Sequence, residues 1–83
     1  MQLSIELTLY PLQDNYLPII IATIEKLNSF AGVEVNTFPT ATILIGEYKT
    51  TMAALSETIA WSYEHYGKCV FVAKFLPGYE ARI

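Results

Sequence analysis

An α+β sandwich of order β-α-β-β-α-β is the fold class this sequence predicts, and three observations predict it. Leu3, Ile5, Leu7 and Leu9 alternate with Ser4, Glu6, Thr8 and Tyr10, the period-two pattern of a half-buried strand. Two longer segments, stopped by Gly32 and Gly67, carry apolar residues at steps of three and four, the helical period. Around them stand short apolar, largely β-branched runs bounded by Gly or Pro, which read as further strands.

Each element follows in turn. Pro11 removes a backbone donor and helps end the first strand. Asp14 and Asn15 offer N-cap oxygens for the first helix, and Pro18 suits its first turn. Leu17, Ile20, Ile21, Ile24, Leu27 and Ala31 share one face, the expected core face. The run Ile19-Ile20-Ile21 lowers helix propensity, so packing must hold this helix. Gly32 can supply its left-handed stop. Residues 33–37 read as the second strand, which Phe38-Pro39 interrupts. Residues 40–45 read as the third, with Ala41, Ile43 and Ile45 towards the helices, Thr40, Thr42 and Leu44 opposite, and Gly46 at its end. Thr50 or Thr51 is expected to cap the second helix, on which Met52, Leu55, Ile59, Tyr63 and Tyr66 share a face. Gly67 stops it, residues 69–76 form the last strand, and Pro77-Gly78 is a turn signal. The tail, residues 79–83, shows no pattern. Two right-handed crossovers around a hairpin give a single ferredoxin-like domain over residues 1–83. Its sheet is four-stranded and antiparallel in order 4-1-3-2, with both helices on one face.

Composition narrows the function classes. At 83 residues the chain can build one domain, burying only about 60% of its unfolded surface. Yet 53% of it is hydrophobic and only 16% charged, against roughly 25% charged in an average soluble protein. Spare apolar surface in so small a domain predicts a homo-oligomer, a dimer or tetramer. Five Lys and Arg against eight Asp and Glu, net −3, cannot form the basic stripe that a nucleic acid requires. One cysteine makes no intrachain disulfide. One His and one Cys do not make a metal site, and no cofactor is expected. The first residues lack a basic leader, and the apolar run over residues 17–22 is far below the ~20 residues of a membrane helix. A cytoplasmic protein with no membrane partner is expected.

The sheet face turned away from the helices is the informative one. It is expected to carry Ser4, Glu6, Thr8 and Tyr10, with Glu34 and Asn36, Thr40, Thr42 and Leu44, and Val70, Val72 and Lys74. Hydroxyls, an aromatic and bare aliphatics are not a solvated charged face. Strands favour Thr, Val and Tyr in any case, but the apolar area of Leu44, Val70 and Val72 also suits an interface.

At this point the chain resembles the thiamine/hydroxymethylpyrimidine-binding proteins of the YkoF-like, single-domain type. The resemblance spans about residues 3–76. It rests on Ile5-Glu6-Leu7-Thr8-Leu9-Tyr10-Pro11-Leu12, Gly32-Val33-Glu34-Val35-Asn36 and Thr40-Ala41-Thr42-Ile43-Leu44-Ile45-Gly46-Glu47-Tyr48. Where the family usually reads Met-Ser-Thr, this chain has Phe38-Pro39-Thr40, so Thr40 is kept and the serine hydroxyl is not. The resemblance implies a non-enzymatic site for thiamine or its pyrimidine moiety, in a carrier or salvage accessory whose sheets associate into oligomers.

Five residues are the candidates for that ligand: Glu6, Tyr10, Asn36, Thr40 and Thr42. A carboxylate at Glu6 can accept from an aminopyrimidine, Tyr10 can stack on a planar ring, and Asn36 both donates and accepts. Each also has an ordinary reading, as a solvated strand Glu, a rim Tyr, or turn and strand-end Asn and Thr. Lys74 suits a ligand phosphate or, more ordinarily, a cross-strand pair with Glu6. Trp61, Tyr63 and Tyr66 read as helix packing or contact residues, His65 as exposed, and Cys69 as a small buried residue. A ligand-free oligomerisation module is the alternative. An enzyme using His65 or Tyr10 as acid–base group is the weakest reading, because no catalytic constellation is visible.

Overall fold

The computed structural model describes residues 1–82. Its elements run β1 (Gln2–Pro11), α1 (Leu17–Asn28), β2 (Val33–Thr37), β3 (Thr42–Glu47), α2 (Tyr48–Tyr66) and β4 (Cys69–Pro77). The sheet is antiparallel throughout, in order β2-β3-β1-β4. Order, pairing and edge strands are as the sequence predicts.

Register decides which face each side chain takes. Ile5 lies opposite Leu44 on one side and Phe75 on the other. Directly paired residues share a face, so Leu44 points to the helices with Leu3, Ile5 and Leu7. Those four are at most 3% exposed and form the core with Leu27 of α1 and Leu55 of α2. Val33, Val35, Met52, Phe71 and Ala73 pack around them. Each fully buried Leu or Ile contributes about 1.5–3 kcal/mol.

The expected phase of β3 is therefore inverted. Thr42, opposite Leu7, and Leu44 face the helices, while Ile43 and Ile45, opposite Glu6 and Ser4, take the other face. Both helix faces are also rotated from expectation. The buried residues of α1 are Ile19, Thr23 and Leu27; Leu17, Ile21 and Ala31 are exposed. The Thr23 hydroxyl is satisfied by donating to the Ile19 carbonyl, 2.8 Å away. The buried face of α2 is Thr51, Ala54, Leu55, Thr58 and Ser62, and Ile59 and Tyr63 point outward. Small side chains let this helix lie close on the sheet, with Ser62 Oγ 3.4 Å from Cys69 Sγ.

The caps differ as well. Glu47, not Thr50 or Thr51, caps α2, its carboxylate accepting from the Lys49 and Thr50 amides at 3.0 and 3.3 Å. Tyr16 precedes α1 without a side-chain cap, and Pro18 fills the first turn. Gly67 terminates α2 at φ +78°, as expected; α1 ends at Asn28, with Gly32 at φ +81° in the turn beyond.

The tail has a definite course. After the Gly78 turn it crosses the face of the sheet opposite the helices. Ser4 Oγ donates to the Tyr79 carbonyl at 2.6 Å and accepts from the Ala81 amide at 2.8 Å. Arg82 reaches Glu34 on β2. Ser4 and its neighbour Ile45 are consequently buried, at 0% and 2% exposure, on a face otherwise open.

Candidate functional site

Strand β1 outruns β3. Its ladder with β3 ends at Leu7–Thr42, whereas its ladder with β4 continues to Pro11–Cys69. The edge of β1 beyond Leu7 therefore has no strand beside it. The β2–β3 loop folds in there instead, closed by the Phe38 N–H donating to the Ala41 carbonyl at 2.8 Å. The Thr8 hydroxyl donates to the Thr40 carbonyl at 3.2 Å and holds that loop against β1.

A cleft of about 660 Å³ opens at this end of the sheet, between β1, α1 and the loop. Leu17, Ile20, Ile21 and Ile24 form its helical wall, and Leu7 and Leu9 line it from β1. Tyr10, Tyr16 and Phe38 also line it, each 54–55% exposed. Thr37, Thr40 and Thr42 line it at the β2–β3 end. This volume is ordinary for a small-molecule site, as is an apolar lining with a few polar groups.

Three of the five candidates meet here: Tyr10, Thr40 and Thr42. Thr42 reaches the cleft because it faces the helices, the reverse of the expected side, and it is 7% exposed. Glu6 and Asn36 stand apart on the open sheet face. Glu6 lies opposite Lys74, with 3.3 Å between carboxylate and Nζ, the pair anticipated from sequence. Asn36 donates to the Glu34 carboxylate at 2.8 Å. That bond and Arg82 hold the Glu34 carboxyl below its ordinary range, and Glu34 and Glu80 raise the Arg82 guanidinium in turn.

Tyr16, Phe38 and the outer apolar residues of α1 were not among the candidates. Their signal lay in α1 itself: a helix apolar well beyond one stripe has a second apolar surface to cover.

The remaining chemistry-bearing side chains lie elsewhere. His65 Nδ1 donates to the Trp61 carbonyl at 2.8 Å, and its ring stands 4.6 Å from the Trp61 ring, on α2 and outside the cleft. Cys69 is half-buried beside Ser62. Among the described residues no group of three or more His, Cys, Asp and Glu is placed to hold a metal ion, and no helix is long and apolar enough to cross a membrane.

Sheet order, register and the layer of two helices define the ferredoxin-like class of α+β sandwich. No protein-family model matches the chain, and no curated protein does. Solved structures share the fold. Protein SP2199 from Streptococcus pneumoniae superposes with a TM-score of 0.85 at 25% identity, covering 95% of this chain and 89% of that one. A Thermotoga maritima protein, TM0486, provisionally assigned to thiamine biosynthesis or salvage, gives 0.80 at 19%, with 90% and 82% covered. The hypothetical protein MJ1052 from Methanocaldococcus jannaschii gives 0.79 at 17%, with 98% and 84% covered.

Proposed function

We propose that this chain binds thiamine or its hydroxymethylpyrimidine moiety without transforming it, as a carrier or salvage accessory working in a homo-oligomer. The observation that carries the reading is the cleft, where Tyr10, Thr40 and Thr42 meet against apolar walls. Aromatic rings at its rim offer stacking surfaces to a planar heterocycle. Threonine hydroxyls, which both donate and accept, suit its polar edge. The free edge of β1 adds main-chain groups that no strand engages. The fold likeness to the Thermotoga protein points the same way, as do the residues that resemble the YkoF-like type.

Calorimetric titration with thiamine and with hydroxymethylpyrimidine tests the reading. Binding should release or absorb heat and raise the melting temperature, since a ligand of the native state stabilises it. No heat and no thermal shift at millimolar ligand would sink it.

A second reading has its own observation. Val70 and Val72 are 43% and 51% exposed on the open sheet face, as a module built only to assemble would have them. In that case Thr40→Ala and Tyr10→Ala leave ligand response absent and assembly unchanged.

A further inference from the structure

Every side chain that lines the cleft is uncharged: leucine, isoleucine, alanine, proline, threonine, tyrosine and phenylalanine. Lys74, the cation the sequence offers for a phosphate, is on the open face against Glu6 and does not line it. The chain as a whole is anionic, net −3. From this we infer that the cleft selects by charge: it takes the unphosphorylated heterocycle and rejects its anionic phosphate ester. The inference deepens the function proposed above and rests on it.

The physical reason is desolvation. A phosphate moved from water against apolar walls loses its hydration, and only a cation or several donors would offset that loss. Phosphate sites supply such groups as Lys, Arg or a cradle of backbone amides at a helix N-terminus. Here the start of α1 is no such cradle. Pro18 stands in its first turn, and the Ile19 and Ile20 amides both donate to the Tyr16 carbonyl at 3.1 Å. Two threonine hydroxyls are also engaged, Thr8 with the Thr40 carbonyl and Thr23 with that of Ile19. The neutral pyrimidine ring asks for less. Apolar walls cover its faces, and the hydroxyls of Thr37, Thr40 and Thr42 meet its edge.

The consequence is a sorting device. A protein that holds the alcohol and lets go of the ester keeps substrate for a phosphorylating enzyme and releases the product of that step. The place of this cleft is then ahead of a phosphoryl transfer to that hydroxyl.

The test compares four probes on the intact protein: hydroxymethylpyrimidine, its monophosphate, thiamine and thiamine diphosphate. The monophosphate should bind at least about a hundredfold more weakly than the alcohol, the loss expected for an unpaired charge at an apolar site. The diphosphate should fall below thiamine in the same direction. Ile21→Lys places a cation at the cleft on a half-exposed helix position, and it should narrow the gap by about tenfold or more. Glu64→Lys adds more net charge, two units against one, on an exposed position of α2 that does not line the cleft, and it should leave the gap unchanged. Circular dichroism should show native helix content in both variants. Equal affinity for alcohol and ester overturns the inference while the binding function stands. An unchanged gap in Ile21→Lys, or one narrowed equally by Glu64→Lys, overturns the cleft as the selecting site. Failure of all four probes at millimolar concentration removes the binding function and this inference together.

Discussion

At Gly46 a strand and a helix meet with no room for a side chain. A Cβ there would stand 2.6 Å from the Gly32 carbonyl oxygen and 2.6 Å from Thr51 Oγ1, inside van der Waals contact with a backbone atom that cannot swing away. Gly46→Ala must push α2 and the β2 turn outward. It should cost about 1–3 kcal/mol, the usual range for overpacking, read as a lower urea midpoint with an unchanged slope. A midpoint equal to wild type would show that the contact relaxes freely. Glu34 is the other residue with a measurable consequence. Its carboxyl is held below the ordinary range first by Asn36 and then by Arg82. A lowered carboxylate stabilises the native state fully above its unfolded value, about 4.3, and loses that contribution as pH falls through the lower folded value. The tail should therefore loosen only in acid, with a lower hydrogen-exchange protection factor at the Ala81 amide. Glu34→Gln should abolish that acid dependence.

The order of elements was legible because Gly32, Gly67, Pro11 and Pro77 punctuate the periodic runs, but the faces were not. Ile43, Leu44 and Ile45 are consecutive apolar residues, so alternation carries no phase there. Register against β1 sets it, and β1 is more than thirty residues away in sequence. In α1 the apolar residues surround most of the helix, and Thr23 sits on the buried face only because Ile19 accepts its proton. In α2 the core face is made of threonine, serine and alanine, which read as polar or neutral in a sequence, while Ile59 and Tyr63 point out. The caps show the same limit: Glu is an uncommon N-cap, yet Glu47 leads α2. Glu47→Ala should lower stability by about 0.5–2 kcal/mol, measured by denaturant titration. No loss would mean that water replaces the two bonds at no cost.

Across the whole molecule, the split βαβ architecture followed from element order and crossover handedness. The cleft did not, because β1, α1 and the β2–β3 loop contribute to it from three separate parts of the chain. Its candidates Tyr10, Thr40 and Thr42 were named for the opposite face or its rim, and the inverted β3 phase brought Thr42 inward. Assembly is argued at this scale. The open face keeps Val70, Val72 and Tyr10 substantially exposed, and a stable association of two copies requires about 1,000 Å² or more in total. Val72→Lys puts a charge into that surface and should shift the protein to smaller species in sedimentation at tens of micromolar, with helix content unchanged. A wild type that sediments as a monomer at that concentration would remove the sheet-face assembly.

The tail across the sheet also bears on the order of folding events. Ser4 is among the first residues of the domain, and its partners Tyr79 and Ala81 lie 75 and 77 positions later. Contacts that distant carry a large loop-closure cost unless intervening structure has already brought the ends together. Here the β1–β4 ladder does so, and the tail can lie across β1 only once that ladder exists. The strap is thus a late arrival, formed on the native side of the transition state. Interactions absent from the transition state govern unfolding and not refolding. Ser4→Ala should accordingly speed unfolding and leave the refolding limb of the chevron where it is. A slowed refolding limb would place the tail in the folding nucleus instead. A protein built this way owes part of its kinetic persistence to four residues that close over it last.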